Sequence, residues 1–87
     1  MAAPSVTLYT TGWCPYCSRA RALLKRKGVA FEDIDVDSVP GKRAEMQSRS
    51  CRTSVPQIFI GDQHVGGCDD LHDLEEAGKL DALLAGR

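Results

Sequence analysis

The sequence predicts a small α/β protein in which helices cover a four-stranded mixed sheet, with elements in the order β-α-β-α-β-β-α. Three observations predict this class. Short runs rich in β-branched and aromatic residues alternate with segments of helical periodicity. A helix separates the first two strands, which requires a parallel pair with a right-handed crossover. Only Gly61-Asp62 separates the last two strands, as in an antiparallel hairpin.

The first half of the chain is predicted to form a strand, a helix and a second strand. Ser5–Thr10 is the first strand, and the segment from Cys14 to about Lys27 is a helix that Gly28 ends in a left-handed cap. The apolar residues of this helix recur at helical spacing: Cys17, Ala20, Leu23 and Leu24. From Phe31 to about Val36, apolar and acidic residues alternate with one slip, as in a half-buried strand.

The second half is predicted to form a helix, a hairpin and a last helix. The helix runs from Val39 or Pro40 to Arg49, with Ala44 and Met46 on its inner side. Residues 57–60 and 63–65 are the strands of the hairpin.

The last helix begins near Asp70 and is interrupted by Gly78. Its apolar residues are expected to pack on the sheet: Leu71, Leu74, Ala77, Leu80, Leu83 and Leu84.

Length and composition exclude several classes of protein. The 87 residues carry 12 acidic and 11 basic side chains, so the formal net charge is −1. This length predicts one domain over residues 1–87, and 43% hydrophobic residues are typical of a globular protein. The near-zero charge argues against nucleic-acid binding, which needs a basic excess. No apolar run approaches the roughly 20 residues that cross a bilayer.

The N-terminal residues and the cysteines indicate the compartment. The segment from Met1 to Ser5 has neither the basic nor the apolar region of a signal peptide, so we expect a cytoplasmic location. Four cysteines in such a reducing compartment serve chemistry or metal binding more often than a structural disulfide framework.

The segment Trp13-Cys14-Pro15-Tyr16-Cys17 follows the first strand and opens the first helix, a context typical of a thiol–disulfide site. Unpaired N–H groups and the positive end of the helix dipole favour a thiolate at the first cysteine. The second cysteine lies one turn further on the same face, where it can attack a mixed disulfide formed at the first. Cys14 is therefore the predicted nucleophile and Cys17 the predicted resolving thiol.

Two structural alternatives use the same cysteines. His64 and Cys68 have a spacing that could complete a zinc site with Cys14 and Cys17. A secreted, disulfide-stapled domain would need an export signal. The redox interpretation is favoured because a second Cys-x-x-Cys pair is absent from the sequence.

Three motifs, in this order and spacing, resemble those of a dithiol glutaredoxin of the bacterial type: Cys14-Pro15-Tyr16-Cys17, Ser54-Val55-Pro56 and Gly66-Gly67-Cys68-Asp69-Asp70. The resemblance extends from about Val6 to Leu84. It implies a thioredoxin-like fold in which Pro56 is cis and its loop faces the two cysteines.

The resemblance also implies a glutathione site. The backbone of Val55 would pair with the cysteinyl part of glutathione like an added strand. The N–H groups at Asp69 and Asp70 would bind the γ-glutamyl carboxylate, and the Asp70 carboxylate would contact the γ-glutamyl amine. A simple helix cap is the alternative role of Asp70. The full set of expected glutathione-binding residues is Tyr16, Arg43, Ser54, Val55, Pro56, Gly67, Cys68, Asp69 and Asp70.

Two aromatic residues and one basic residue are expected to lie in or near the glutathione site. By resemblance, Arg43 lies toward the glycine carboxylate of glutathione, and its alternative is a solvated helix face. Tyr16 would form one side of the glutathione-binding groove; the alternative is that it is an exposed aromatic residue that only packs on its neighbours. Trp13 is expected to pack beside the site rather than touch substrate.

The chain departs from the family pattern at three positions. Thr11 stands where a lysine often assists the thiolate, Ser54 replaces a commoner threonine, and Cys51 replaces a commoner helix-ending glycine. Cys51 and Cys68 are expected to be inert, with regulatory oxidation or glutathionylation of Cys68 as the alternative.

The implied function is a glutathione-dependent thiol–disulfide oxidoreductase that reduces glutathione mixed disulfides and protein disulfides. Glutathione is its co-substrate, and neither a metal nor a tightly bound cofactor is expected. The expected partners are glutathionylated or disulfide-containing proteins and, indirectly, glutathione reductase, and the expected state is a monomer without nucleic-acid or membrane partners. One alternative is a glutathione-ligated 2Fe–2S cluster carrier, which Pro15 disfavours. Another is recharging by thioredoxin reductase, against which Arg43, Val55 and Asp70 argue.

Overall fold

The computed structural model describes residues 4–86, so Met1–Ala3 and Arg87 lie outside it, together with most of the segment interpreted above as lacking a signal peptide. The described residues form eight elements in chain order: β1 (Val6–Thr10), α1 (Pro15–Arg26), β2 (Glu32–Asp35), α2 (Lys42–Ser50), β3 (Gln57–Ile60), β4 (Gln63–Gly66), α3 (Cys68–Glu76) and α4 (Leu80–Leu84).

The four strands form one mixed sheet in the order β2-β1-β3-β4. β1 pairs in parallel with β2, and Leu8 lies opposite Asp33. On its other side β1 pairs antiparallel with β3, where Leu8 lies opposite Ile58, and β3 pairs antiparallel with β4. The predicted α/β class with a four-stranded mixed sheet is confirmed.

Helices cover both faces of the sheet because successive side chains of each strand point to opposite sides. One face packs against α1, α3 and α4. Its buried residues are Val6, Leu8, Ala20, Leu23, Leu24, Ile58, Ile60, Leu71, Leu80 and Leu84. The other face packs against α2. Its buried residues are Tyr9, Ile34, Val36, Met46 and Phe59.

The ends of α1 agree with the prediction. Cys14 is the N-cap and Pro15 occupies the first helical position, where its missing N–H group costs no hydrogen bond. Gly28 follows the helix with φ of +70°, a left-handed conformation that glycine adopts readily. Lys27 at the helix end pairs with Glu75 of α3 at 2.5 Å and with Asp81 of α4 at 3.0 Å, which ties three helices together.

The second helix begins later than predicted, at Lys42 instead of Val39 or Pro40. The Asp35 carboxylate accepts hydrogen bonds from the backbone N–H groups of Asp37 (2.9 Å) and Ser38 (3.3 Å), and irregular turns continue through residues 39–41. Gly41 has φ of +82°, a left-handed conformation that a helix cannot include, so α2 begins after it. Ala44 is exposed and does not contribute to the core, so that prediction was wrong, whereas Met46 is fully buried.

The last predicted helix is two helices. α3 begins at Cys68, two residues before the predicted start at Asp70, and ends at Glu76. Gly78 donates to Glu75 O (3.0 Å) and Lys79 to Leu74 O (2.9 Å), the two hydrogen bonds of a Schellman motif. Since Gly78 has φ of +72°, the chain turns there before α4 begins. Within residues 4–86, none of the helices combines the length and apolar character that a bilayer crossing requires.

Candidate active site

Cys14 lies at the N-terminus of α1, directly after β1. Its Sγ accepts a hydrogen bond from the backbone N–H of Cys17 at 3.4 Å and lies 4.0 Å from the carbonyl oxygen of Val55. Both thiols are free, and Cys17 is completely buried whereas Cys14 is partly exposed. The accessible thiol is therefore the one at the helix end, as the sequence predicts.

The two thiols have opposite pKa shifts. Burial alone would raise the pKa of Cys14, but hydrogen bonds from the backbone and thiol of Cys17 and from the backbone of Tyr16, with the charge of Arg21, outweigh burial and lower it. Burial raises the pKa of Cys17 to about 11, and the neighbouring Cys14 anion contributes to that rise. The first proton therefore leaves Cys14, which makes Cys14 the nucleophile of the reduced protein.

A positive charge near the thiols comes from α1 itself. Arg21 lies one turn beyond Cys17, and its Nε contacts an Asp33 carboxylate oxygen at 2.5 Å. Its charge lowers the pKa values of both thiols. Arg21 thus supplies part of the electrostatic effect that a lysine in place of Thr11 would provide.

The loop that precedes β3 faces Cys14. The Val55–Pro56 peptide bond is cis, as the family resemblance implied. The fully buried Gln57 donates from Nε2 to the backbone oxygen of Ser54 (3.0 Å) and to its hydroxyl (3.3 Å). Gln57 Oε1 also lies 2.7 Å from Nε2 of His64 on β4. This network fixes the loop to two strands.

Gln57 was not predicted as part of the site, and His64 was considered only as a possible zinc ligand. The available signal was a single polar residue in the otherwise apolar strand Gln57-Ile58-Phe59-Ile60. His64, the potential zinc ligand, contacts Gln57 instead, and no group of three or more His, Cys, Asp or Glu side chains within residues 4–86 is arranged to hold a metal ion.

A cavity of about 200 Å³ lies between the loop and the N-terminus of α3. Its lining residues are Tyr16, Ser54, Val55, Pro56, Gly67, Cys68, Asp69 and Asp70. The structure thus brings together eight of the nine residues expected to bind glutathione. The ninth, Arg43, is not in this lining, and its Nη2 contacts Asp37 at 2.6 Å.

The Asp70 carboxylate closes one side of the cavity. Its Oδ2 accepts a hydrogen bond from the backbone N–H of Gly67 at 2.9 Å, so Asp70 caps α3, and Nη1 of Arg52 lies 3.1 Å away. These two contacts lower the pKa of Asp70, with the Gly67 hydrogen bond as the larger cause. A side chain at Gly66 would place Cβ only 2.2 Å from the same oxygen, so a glycine is needed there.

Trp13 does not pack as expected. Its side chain is 94% exposed, so the expectation that it packs beside the site was wrong. It lines a second cavity of about 270 Å³ with Gly12, Cys14, Pro15 and Ser18. Trp13 therefore presents an exposed aromatic surface next to the reactive thiol.

The two remaining cysteines differ in environment. Cys68 is buried at the start of α3, where burial raises its pKa, and its Sγ lies 3.5 Å from Nδ1 of His72. Cys51 is exposed directly after α2 with φ of +58°. Glycine adopts this left-handed conformation readily, which explains why it is commoner in the family at that position.

Comparisons with known proteins agree with this geometry. The sequence profile of the glutaredoxin family matches residues 6–65. A glutaredoxin of Pseudomonas aeruginosa is 62% identical over 82 residues, which cover 94% of this chain and 98% of the relative. Glutaredoxin 3 of Escherichia coli K12 is 56% identical over 80 residues, which cover 92% of this chain and 96% of the relative.

A solved structure agrees as well. The crystal structure of a buckwheat glutaredoxin–glutathione complex matches with a TM-score of 0.87 and 29% identity, covering 95% of this chain and 78% of that one. The chain therefore belongs to the glutaredoxin family, has its thioredoxin-like fold, and is a thiol–disulfide oxidoreductase of the dithiol type with bacterial relatives.

Proposed function

We propose that this protein uses glutathione to reduce glutathione mixed disulfides and protein disulfides. The observation that carries the proposal is the position of Cys14. Its thiol, with a lowered pKa, lies 4.0 Å from the Val55 carbonyl, at the edge of the 200 Å³ cavity that Val55 and Asp70 line. A reactive sulfur beside a cavity with polar and charged lining residues is what such a reaction needs.

The cavity offers glutathione complementary groups along its length. The extended backbone at Val55 can pair with the cysteinyl residue as an added strand would. The anionic Asp70 suits the γ-glutamyl ammonium group, and the first N–H groups of α3 suit the γ-glutamyl carboxylate. The likeness to a glutaredoxin solved with glutathione supports the same choice of ligand. Arg43 would act on the glycine carboxylate only if it left Asp37.

The first half-reaction transfers the glutathionyl group to the protein. The Cys14 thiolate attacks the glutathione sulfur of a mixed disulfide, so a disulfide between Cys14 and glutathione forms while the bond to the substrate sulfur breaks. The substrate leaves as a thiolate and takes a proton from water. Free glutathione then attacks the bound glutathione sulfur as a thiolate, forming glutathione disulfide and restoring the Cys14 thiolate.

The lowered pKa of Cys14 matters most in this second step. An ordinary thiol of pKa near 8.5 is only about 3% ionised at pH 7, so lowering the pKa increases the thiolate fraction up to about 30-fold. Intrinsic nucleophilicity falls with a Brønsted slope of about 0.4–0.5, which offsets much of this gain. A stable thiolate leaves faster, however, so the release of Cys14 is accelerated.

Protein disulfides need Cys17 as well. Attack by Cys14 gives a mixed disulfide with the substrate protein, and Cys17 then attacks the Cys14 sulfur, releases the substrate thiolate and leaves a Cys14–Cys17 disulfide. Two glutathione molecules reduce that disulfide to two thiols and become glutathione disulfide. Once Cys14 is in a disulfide, its negative charge no longer raises the pKa of Cys17, so the resolving thiol ionises more readily at that stage.

Cysteine substitutions test these roles. We expect Cys17→Ser to retain reduction of a glutathione mixed disulfide and to lose reduction of a protein disulfide, because only the latter needs a resolving thiol. Cys14→Ser should lose both by at least about 100-fold, since it removes the nucleophile. The measurement is steady-state turnover coupled to glutathione reductase.

Cys51→Ser provides the matched control, because Cys51 is exposed and outside the cavity lining. Its turnover should equal that of the wild type. Turnover retained by Cys14→Ser would overturn the assignment of the nucleophile. Faster recharging by thioredoxin reductase than by glutathione would overturn the choice of reductant.

The proposal has consequences for cofactors, partners and location. Residues 1–87 act as one domain and one monomer, with glutathione as co-substrate and without a tightly bound cofactor. The protein substrates are glutathionylated or disulfide-containing proteins, and glutathione reductase recycles the glutathione disulfide. Because the cycle consumes reduced glutathione, it belongs in the reducing cytoplasm.

The cluster carrier stays an alternative with a simple test. By family resemblance, such a carrier would use Cys14 and glutathione from two chains, and Pro15 disfavours it. Anaerobic purification without added iron should give a colourless monomer. A brown dimer with visible absorption bands would favour the carrier over the proposed reductase.

A further inference from the structure

Arg52 lies in the segment between α2 and β3 and contacts Asp70, one of the residues that line the cavity. Its Nη1 donates to Oδ2 of Asp70 at 3.1 Å, across a separation of 18 residues in the sequence. Neither the cysteine motif nor the loop motif includes Arg52, and the mechanism above does not use it. The ion pair joins the segment before the cis-proline loop to the first turn of α3.

This ion pair contributes little to the stability of the fold. The two side chains are 49% and 44% exposed, and an ion pair at such exposure contributes about 0–1 kcal/mol to stability. Asp70 is already oriented by the Gly67 N–H group and by the space that Gly66 leaves free. Arg52 is therefore not needed to hold Asp70 in position.

The guanidinium retains capacity for a ligand. An arginine has five N–H donors, and among the described residues Asp70 is the acceptor that the structure records for this guanidinium. Its geometry suits carboxylates, which can accept two parallel hydrogen bonds from it. His64 lies nearby but does not add a competing cation at neutral pH, because burial and the charge of Arg52 lower its pKa.

We propose that Arg52 is a specificity-determining residue that, together with Asp70, recognises the zwitterionic α-amino-acid end of the substrate. Asp70 binds the ammonium group, and Arg52 joins the first N–H groups of α3 in binding the carboxylate on the same carbon. The inference rests on the proposed function and deepens it, since the γ-glutamyl residue of glutathione carries both charges on one carbon atom. The Asp70 carboxylate then lies next to the ligand's ammonium group and the Arg52 guanidinium next to its carboxylate, so each ligand charge has an opposite protein charge beside it.

The test compares substrates that lack one charge. The probes are mixed disulfides of the chromophoric thiol 5-thio-2-nitrobenzoate with glutathione, with 4-aminobutyryl-Cys-Gly, which lacks the α-carboxylate, and with glutaryl-Cys-Gly, which lacks the α-amino group. The measurement is the second-order rate constant for release of the chromophoric thiol by the reduced, full-length protein.

We expect Arg52→Gln to lower the rate constant with glutathione about fivefold, the effect of one half-exposed charged contact. With 4-aminobutyryl-Cys-Gly the variant and the wild type should react equally, because the group that Arg52 binds is absent. Arg52→Lys should restore most of the rate with glutathione. Arg26→Gln makes the same change of charge at an exposed residue at the far end of α1 and should behave as the wild type.

The outcomes separate this inference from the proposed function. A wild type that reacts equally with all three probes would overturn the recognition of the γ-glutamyl charges that the proposed function assigns to Asp70 and α3, and the role of Arg52 with it. A wild type that prefers glutathione, beside an Arg52→Gln variant with equal losses on glutathione and on 4-aminobutyryl-Cys-Gly, would leave the function standing and reduce Arg52 to a support of the loop. An Arg52→Gln variant with no loss on any probe would also overturn the inference alone.

Discussion

At the scale of single residues, the chemistry depends on a difference between two thiols three positions apart. Cys14 is partly exposed and accepts hydrogen bonds at a helix N-terminus, whereas Cys17 is fully buried beside it. The same element therefore lowers the pKa of one thiol and raises that of the other to about 11. Each role in the proposed reaction follows from this asymmetry.

The asymmetry predicts a pH profile for alkylation of Cys14. Because its pKa is lowered, the rate should stay high as the pH falls below the ordinary range of thiols and decline only when the pH passes the lowered value. Cys17→Ala removes a thiol that donates to the Cys14 anion, so the midpoint of the Cys14 alkylation profile should lie at higher pH in this variant than in the wild type. The measurement is the rate of iodoacetamide labelling against pH.

Labelling must be assigned to one site, because Cys51 is also exposed. Mass spectrometry of the tryptic peptides separates the two, and Cys51 provides an internal reference within each sample. A profile for Cys14 in Cys17→Ala that coincides with the wild type would show that the Cys17 thiol does not stabilise the thiolate and that the backbone donors and Arg21 do.

At the scale of elements, the site is an assembly of segment ends. The end of β1 leads into α1, the segment before β3 carries the cis-proline loop, and the turn after β4 starts α3. Gln57 connects two of these pieces, because its amide bonds Ser54 in the loop and His64 in β4. Sequence motifs identify the residues that line the cavity, but they do not identify the buried residue that holds the loop.

The features that the sequence did not predict depend on contacts between separate segments or on backbone geometry. Strand and helix types follow from local periodicity, so every predicted element exists in the structure. The start of α2 was missed because Gly41, directly before Lys42, adopts a left-handed conformation with φ of +82° that a helix cannot include. The interruption at Gly78 was expected, and a Schellman motif makes it a complete break between two helices. The Arg52–Asp70 pair joins residues 18 positions apart, which no local pattern can indicate.

Replacing Gln57 tests the connection between the loop and the strands. Gln57→Met keeps a similar volume but removes both hydrogen bonds to Ser54 and the polar contact with His64. We expect a loss of about 1–3 kcal/mol in the free energy of unfolding. The rate with a glutathione mixed disulfide should fall further than the rate of Cys14 alkylation by iodoacetamide, because only the former needs the loop.

Gln63→Met is the matched control for this change. Gln63 is exposed on the neighbouring strand β4, so the same substitution should leave both rates and the stability nearly unchanged. Equal falls of the two rates in Gln57→Met would instead mean that Gln57 supports the whole fold and has no particular effect on the loop.

At the scale of the whole molecule, the two faces of the sheet are unequally covered. Three helices bury ten residues on one face, and the Lys27 contacts with Glu75 and Asp81 join those helices at one end. On the other face, α2 contributes Met46 to a cluster of five buried residues. The loop residue Val55 packs against this smaller cluster, so the covering by α2 also supports the site.

The smaller cluster predicts a large effect from one substitution. Met46→Ala removes the fully buried side chain that joins α2 to the sheet, so we expect the free energy of unfolding in guanidinium chloride to fall by about 2–4 kcal/mol. This is a large share of the roughly 5–15 kcal/mol typical of a domain, whereas the volume-conserving Met46→Leu should cost less than about 1.5 kcal/mol. Because Val55 packs on the same cluster, Met46→Ala should also slow the reaction with a glutathione mixed disulfide under conditions where the protein stays folded. A loss below about 1 kcal/mol would mean that Met46 contributes little to the attachment of α2, which would then depend on contacts such as those of Glu45 and Arg49 with the Tyr9 hydroxyl.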